Sequence, residues 1–132
     1  MAATQPGHVM PRFYLLSTAI NGFLAVVLGA FGAHALKAIL LPELLEIWQT
    51  AVQYQMFHGL ALLAVAGFAQ AGNTSRALQW SGRLFIAGLL IFCGSLYLLA
   101  LTDIRALGAI TPIGGVAWLI AWALLGKAAY LR

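Results

Sequence analysis

The chain has 132 residues, 63% of them hydrophobic and 8% charged, with a net charge of +4 and a mean hydropathy of +0.95. Soluble domains carry about 25% charged residues, so this composition excludes a soluble globular protein and indicates an integral membrane protein. The seven basic residues stand singly near span ends, with no basic run and no interleaved aromatics, so the charge reads as membrane topology and a nucleic-acid partner is excluded.

A helix rises about 1.5 Å per residue and the hydrocarbon core is about 30 Å thick, so one span needs about 20 residues. Four spans with short connections use up the chain as one membrane domain, 1–132. Lipid offers no partners to backbone polar groups, so each span must be helical. The expected fold is an all-α, four-span transmembrane bundle with up-down-up-down topology.

Residues 1–11 form a short tail. Span one is expected over about 13–36. Its run to Ala33-His34-Ala35 has the small-x-small pattern of a signal-peptide cleavage site. The apolar stretch from Phe13 to Phe31 is 19 residues, longer than the roughly 7–15 of a signal peptide, so an uncleaved span is expected. Lys37 lies in the first turn, and Pro42 opens the next helix, where proline is tolerated.

Residues 43–70 read as one long helix that changes solvent along its length. Glu43, Glu46, Thr50 and Gln53 share one face, with Leu44, Leu45, Trp48 and Val52 on the other, as an amphipathic interfacial extension requires. The span proper is expected over about 51–70. Ala71 to Ser75 is a break, with Gly72 as a stop and Asn73, Thr74 and Ser75 as caps. Span three is expected over about 78–101. It carries the single cysteine, Cys93, which is read as a buried, inert thiol. A tight loop with Asp103 and Arg105 as caps or a local pair leads to span four, about 107–131. There Thr111-Pro112 and Gly114-Gly115 are expected to bend or interrupt the first turns.

One end carries Arg12, Arg76, Arg83, Lys127 and Arg132; the other carries Lys37, Arg105 and all three acidic residues. The excess of basic residues predicts cytoplasmic termini. Trp48 and Tyr54 are expected in the outer aromatic belt, Trp80 and Tyr130 in the inner one. Small-residue seams (Ala25, Gly29, Ala33; Ser81, Gly88, Ser95; Gly114, Ala117, Ala121) are expected as helix interfaces and leave room for a homo-oligomer. Trp118 and Trp122 are expected to face lipid. Asn21, mid-span and uncharged, is expected to bond across to another helix.

Tyr54, Gln55 and His58 are the leading candidates for ligand contact, with His34 and Thr111 joining them near the outer leaflet. His58 is expected one to two turns below the outer interface, and ionisable groups at membrane depth are costly and often functional. A structural histidine bonded to a neighbouring helix is the competing reading. His34 and His58 at shared depth would be a bis-histidine site for haem, metal or quinone. Against it, no carboxylate or cysteine joins them, and His34 lies 13 residues from Asn21, about 140° around a helix. Glu43 and Glu46 read as a solvated face. There is no Ser/His/Asp set, no CxxC and no glycine loop after a strand, so no enzyme activity, catalytic residue or resident cofactor is expected. The expected function is a non-enzymatic accessory or a lipid- or small-ligand-binding protein. A small oligomeric transporter built on a broken helix at Pro112 is the other alternative.

Four segments, GAFGAHAL (29–36), WQTAVQYQMFHGLALL (48–63), FCGSLYLLALT (92–102) and LGAITPIGGVAWL (107–119), resemble the YgdD/YwdK-like family of small bacterial inner-membrane proteins. The resemblance implies a multi-pass plasma-membrane protein with membrane lipids as its surroundings. It attaches no activity and no residue roles, because that family is a domain of unknown function.

Overall fold

The computed structural model describes residues 9–130. Helix α1 runs Val9–His34, α2 Pro42–Gln70, α3 Arg76–Gly88, α4 Gly94–Thr102 and α5 Thr111–Tyr130. A π-helical turn, Leu89–Cys93, joins α3 to α4 without a break in direction, so the two make one span. Four segments are long and apolar enough to cross a membrane: Met10–Ala38, Pro42–Gln70, Arg76–Thr102 and Arg105–Tyr130. No strand occurs among the described residues.

The ends of these helices follow local chemistry. Pro42 sits in the first turn of α2, where its missing N–H has no helical partner to lose. Gly72 adopts φ 101° and releases the chain after α2. Ser75 caps α3, its Oγ accepting from the Leu78 N–H at 3.2 Å, and Asn73 Oδ1 accepts from the Ser75 N–H. Asp103 at φ 57° ends α4, a left-handed position that a short polar side chain tolerates.

Two expectations about boundaries change. Helix α1 begins at Val9, ahead of Arg12, and only residues 1–8 of the expected tail lie outside the description. Leu36 belongs to a 3-10 turn after α1. Span four begins at Arg105, and its first turns are interrupted as expected, just before Pro112. Pro112 falls in the first turn of α5, after a 3-10 turn over Arg105–Ala109, where proline replaces a donor that would have gone unused. A second irregularity lies in span three, at the π turn.

The spans pack as two antiparallel hairpins, α1 on α2 and α3 on α5, with α2 also against α3 and α4. Half of the apolar window of α2 is buried, against 11% for span one and 17% for span four. Spans two and three thus form the centre and the other two flank them. Ala25, Gly29, Ser81, Gly88, Ser95, Gly114 and Ala121 pack inside the chain. Ala33 does not: it is exposed, and Gly32 takes its place beneath the Trp48 ring.

Two aromatic residues depart from expectation. Trp48 is 3% exposed and donates from Nε1 to the Leu28 carbonyl at 2.9 Å, so it belongs to the core rather than to the outer belt. Trp118 is likewise 3% exposed. Its indole lies against Gly88, where any Cβ would collide with it, and Nε1 donates to the Phe85 carbonyl at 3.1 Å. Gly114, Trp118, Ala121 and Leu125 step by 4, 3 and 4 along one buried stripe of α5. Trp122 is partly exposed beside it.

Candidate ligand site at the middle of the bundle

Helices α1 and α2 run antiparallel, and Gly59 lies beside the Asn21 amide. The His58 ring faces Phe85 of α3 and Trp118 of α5. Asn21, His58, Trp118 and the π turn each fall near the midpoint of their own span. They form one polar and aromatic layer halfway through the bundle. His58 lies there because α2 is one unbroken helix from Pro42, which carries residue 58 about 24 Å from that end.

Two clusters lie in the layer. In the first, Asn21 Nδ2 donates to the Gln55 carbonyl at 3.0 Å, and Gln55 Nε2 donates to the Asn21 carbonyl at 3.4 Å. The Tyr97 hydroxyl donates to Gln55 Oε1 at 2.5 Å. This network ties α1, α2 and α4 together, and Asn21 bonds across helices as expected. Gln55 spends its side-chain oxygen and one amide hydrogen in it.

In the second cluster, His58 is stacked on Trp118, with centroids 3.6 Å apart and planes at 4°. Tyr54 lies nearly parallel to both rings at 5.9 Å. Phe57 meets the imidazole edge-on at 5.4 Å, and Phe92 and Trp122 close the frame. Helices α2 and α5 thus meet through rings rather than by close backbone approach. His58 Nδ1 lies 2.9 Å from the Tyr54 carbonyl oxygen. A carbonyl only accepts, so Nδ1 carries the proton, and in the neutral ring Nε2 is left as an acceptor. Nε2 has no hydrogen-bond partner among the described residues, yet no side-chain nitrogen or oxygen there is both fully buried and unpartnered. Nε2 is therefore not fully enclosed, although the residue is only 5% exposed. A groove of about 330 Å³ lined by Gln53, Tyr54 and Phe57 runs alongside.

The other candidates lie elsewhere. His34 ends α1 and is exposed. It is 13 residues beyond Asn21, about 20 Å along the helix axis, so it does not share the depth of His58. A bis-histidine site is incompatible with that separation. Among the described residues, no three His, Cys, Asp or Glu side chains cluster to hold a metal. Thr111 Oγ1 pairs with Ser95 Oγ at 2.6 Å, seven residues and about 10 Å from the level of Trp118. Cys93 is buried and donates to the Ala51 carbonyl at 3.4 Å. At the start of α2, Arg105 pairs with Glu43 at 2.9 Å and Asp103 at 2.7 Å, which fastens that helix end to the loop before α5. Trp118 is the site residue that sequence reasoning missed. Its signal was the 4-3-4 stripe with Gly114 and Ala121, hidden by its size.

These observations define a small, all-helical, four-span membrane protein. Residues 28–115 match the family described as "Protein of unknown function (DUF423)". The chain is 46% identical over 114 residues to the UPF0382 membrane protein SAB0533 of Staphylococcus aureus, covering 86% of this chain and 92% of that one. It is 45% identical over 118 residues to the UPF0382 membrane protein YwdK of Bacillus subtilis, covering 89% and 96%. No solved structure matches it. The chain belongs to this UPF0382 (DUF423) family of membrane proteins. The matched segment contains His34, Tyr54, Gln55, His58 and Thr111 and ends three residues before Trp118.

Proposed function

We propose that this protein is a non-enzymatic binding protein of the bacterial inner membrane that takes a lipid-like ligand at the Tyr54–His58–Trp118 cluster, with both termini cytoplasmic. The observation that carries the reading is the His58 imidazole, whose Nδ1 is fixed by its own helix while Nε2 has no hydrogen-bond partner among the described residues. An acceptor at mid-membrane finds no water and is costly to leave unpaired. A ligand that brings an O–H or N–H donor and an apolar body satisfies it. The parallel rings of Tyr54 and Trp118 hold the imidazole in place, so binding orders little side chain.

The test is native mass spectrometry of the protein in mild detergent, with an absorption spectrum of the same sample. The wild type is expected to retain a colourless amphiphile at fixed stoichiometry, and His58→Phe to lose it while melting as a folded helical protein. A ligand retained equally by His58→Phe sinks the reading, as does a coloured cofactor. The orientation rests on Arg12, Arg76, Arg83 and Lys127 at one end, opposite all three acidic residues. A cysteine at Thr74 should resist an impermeant thiol reagent in intact cells and one at Glu43 should react; the reverse pattern overturns it.

A further inference from the structure

A second lipid-facing feature lies away from the midplane cluster and does not depend on it. Where the first turns of α1 cross the last turns of α2, a groove of about 400 Å³ opens on the side of the hairpin. Arg12 and Gln70 stand at its end, and Leu15, Leu63, Ala66 and Gly67 line the rest. Arg12 is exposed and has no ion-pair partner among the described residues. This end of the bundle also carries Arg76, Arg83 and Lys127, while all three acidic residues are at the other end. A Cβ built on Gly67 meets nothing within 4 Å, so the groove is empty space rather than a helix contact.

We infer that this groove seats one anionic phospholipid, its phosphate on the Arg12 guanidinium and one acyl chain along Leu15, Leu63, Ala66 and Gly67. The arrangement follows the membrane itself. The cation sits at the end of the spans, where headgroups lie, and the apolar channel runs inward from it. Guanidinium donors match phosphate oxygens in a bidentate fork, and the Gln70 amide adds a neutral donor. The small side chains at 66 and 67 make room for the chain; larger ones would close the groove.

The experiment is native mass spectrometry of the protein released from nanodiscs of equimolar phosphatidylglycerol and phosphatidylcholine. The wild type is expected to retain one phosphatidylglycerol in preference to phosphatidylcholine. Arg12→Gln should lower that preference about fivefold, the effect of about one basic group at an anionic surface. Gly67→Leu, whose Cβ meets nothing within 4 Å and whose side chain would occupy the groove, should lower retention of both lipids. Arg83→Gln removes a charge from the same end, where Arg83 lies over the Trp80 ring at 5.0 Å, and should leave the preference unchanged. Wild-type retention without headgroup preference overturns the inference. So does an Arg83→Gln loss equal to that of Arg12→Gln, which would mean general surface charge, or unchanged retention in Gly67→Leu. Arg12 is exposed and unpaired, so its variant folds whatever the outcome for Gly67→Leu.

Discussion

The two faces of α2 at mid-membrane hold similar chemistry and use it in opposite ways. On the face toward α1 and α4, the Asn21 amide, the Gln55 amide and the Tyr97 hydroxyl each donate across to another helix. On the face toward α5, the His58 ring is held between aromatic side chains with one nitrogen left for something else. A closed network in low dielectric fixes the position of helices. An open acceptor in a rigid frame contributes nothing to holding them and is ready for a ligand. The difference lies three residues apart on one helix, so burial alone does not separate a structural polar group from a binding one. The separating question is whether a group's hydrogen bonds run between helices or stay within its own.

The sharpest way to break this contrast begins with the packing that aims α5 at His58. In Gly114→Leu the new Cβ would lie 2.5 Å from the Phe92 backbone nitrogen, and backbone cannot move aside as a side-chain tip can. The expected loss is about 3 kcal/mol or more, read as failure to recover folded protein from detergent or as a collapsed melting temperature. Next comes the closed face. Asn21→Leu removes the side-chain donor to the Gln55 backbone carbonyl and should cost about 1–2 kcal/mol in reversible unfolding. The double variant Asn21→Leu with Gln55→Leu also removes the donor to the Asn21 carbonyl and the acceptor of the Tyr97 hydroxyl, so it should lose more than either single variant but less than their sum. If the double variant is worse by the sum of two singles, the network is not a closed unit. The smallest effect is on the open face. His58→Phe keeps the stack on Trp118 and gives up one local hydrogen bond, so about 1 kcal/mol or less is expected. A loss as large as that of Asn21→Leu would make His58 a structural residue and erase the comparison.

Much of this was legible in the chain. Polar and proline punctuation marked the ends, because caps and first-turn prolines act within a few residues. Pro42, Gly72 and Ser75 did what their local chemistry requires. Asn21 was readable as a cross-helix donor because a mid-span amide has no other recourse. The misreadings concern direction and depth. Trp48 and Trp118 looked like belt or lipid residues because large aromatics often are. Both are buried because a glycine on the facing helix, Gly32 or Gly88, leaves a socket for the indole. Nothing in the spacing along α2 or α5 reveals a glycine on another helix.

Composition and periodicity by themselves determined that the chain lives in a membrane and that it has four spans. Those properties depend on local hydrophobicity and on backbone groups that lipid cannot satisfy. Only the tertiary structure decided which polar groups are spent on one another. Gln55 and His58 are near neighbours on one helix with similar burial. Their different fates depend on Asn21 and Tyr97 meeting one and Trp118 meeting the other, contacts made between residues 34 to 60 positions apart.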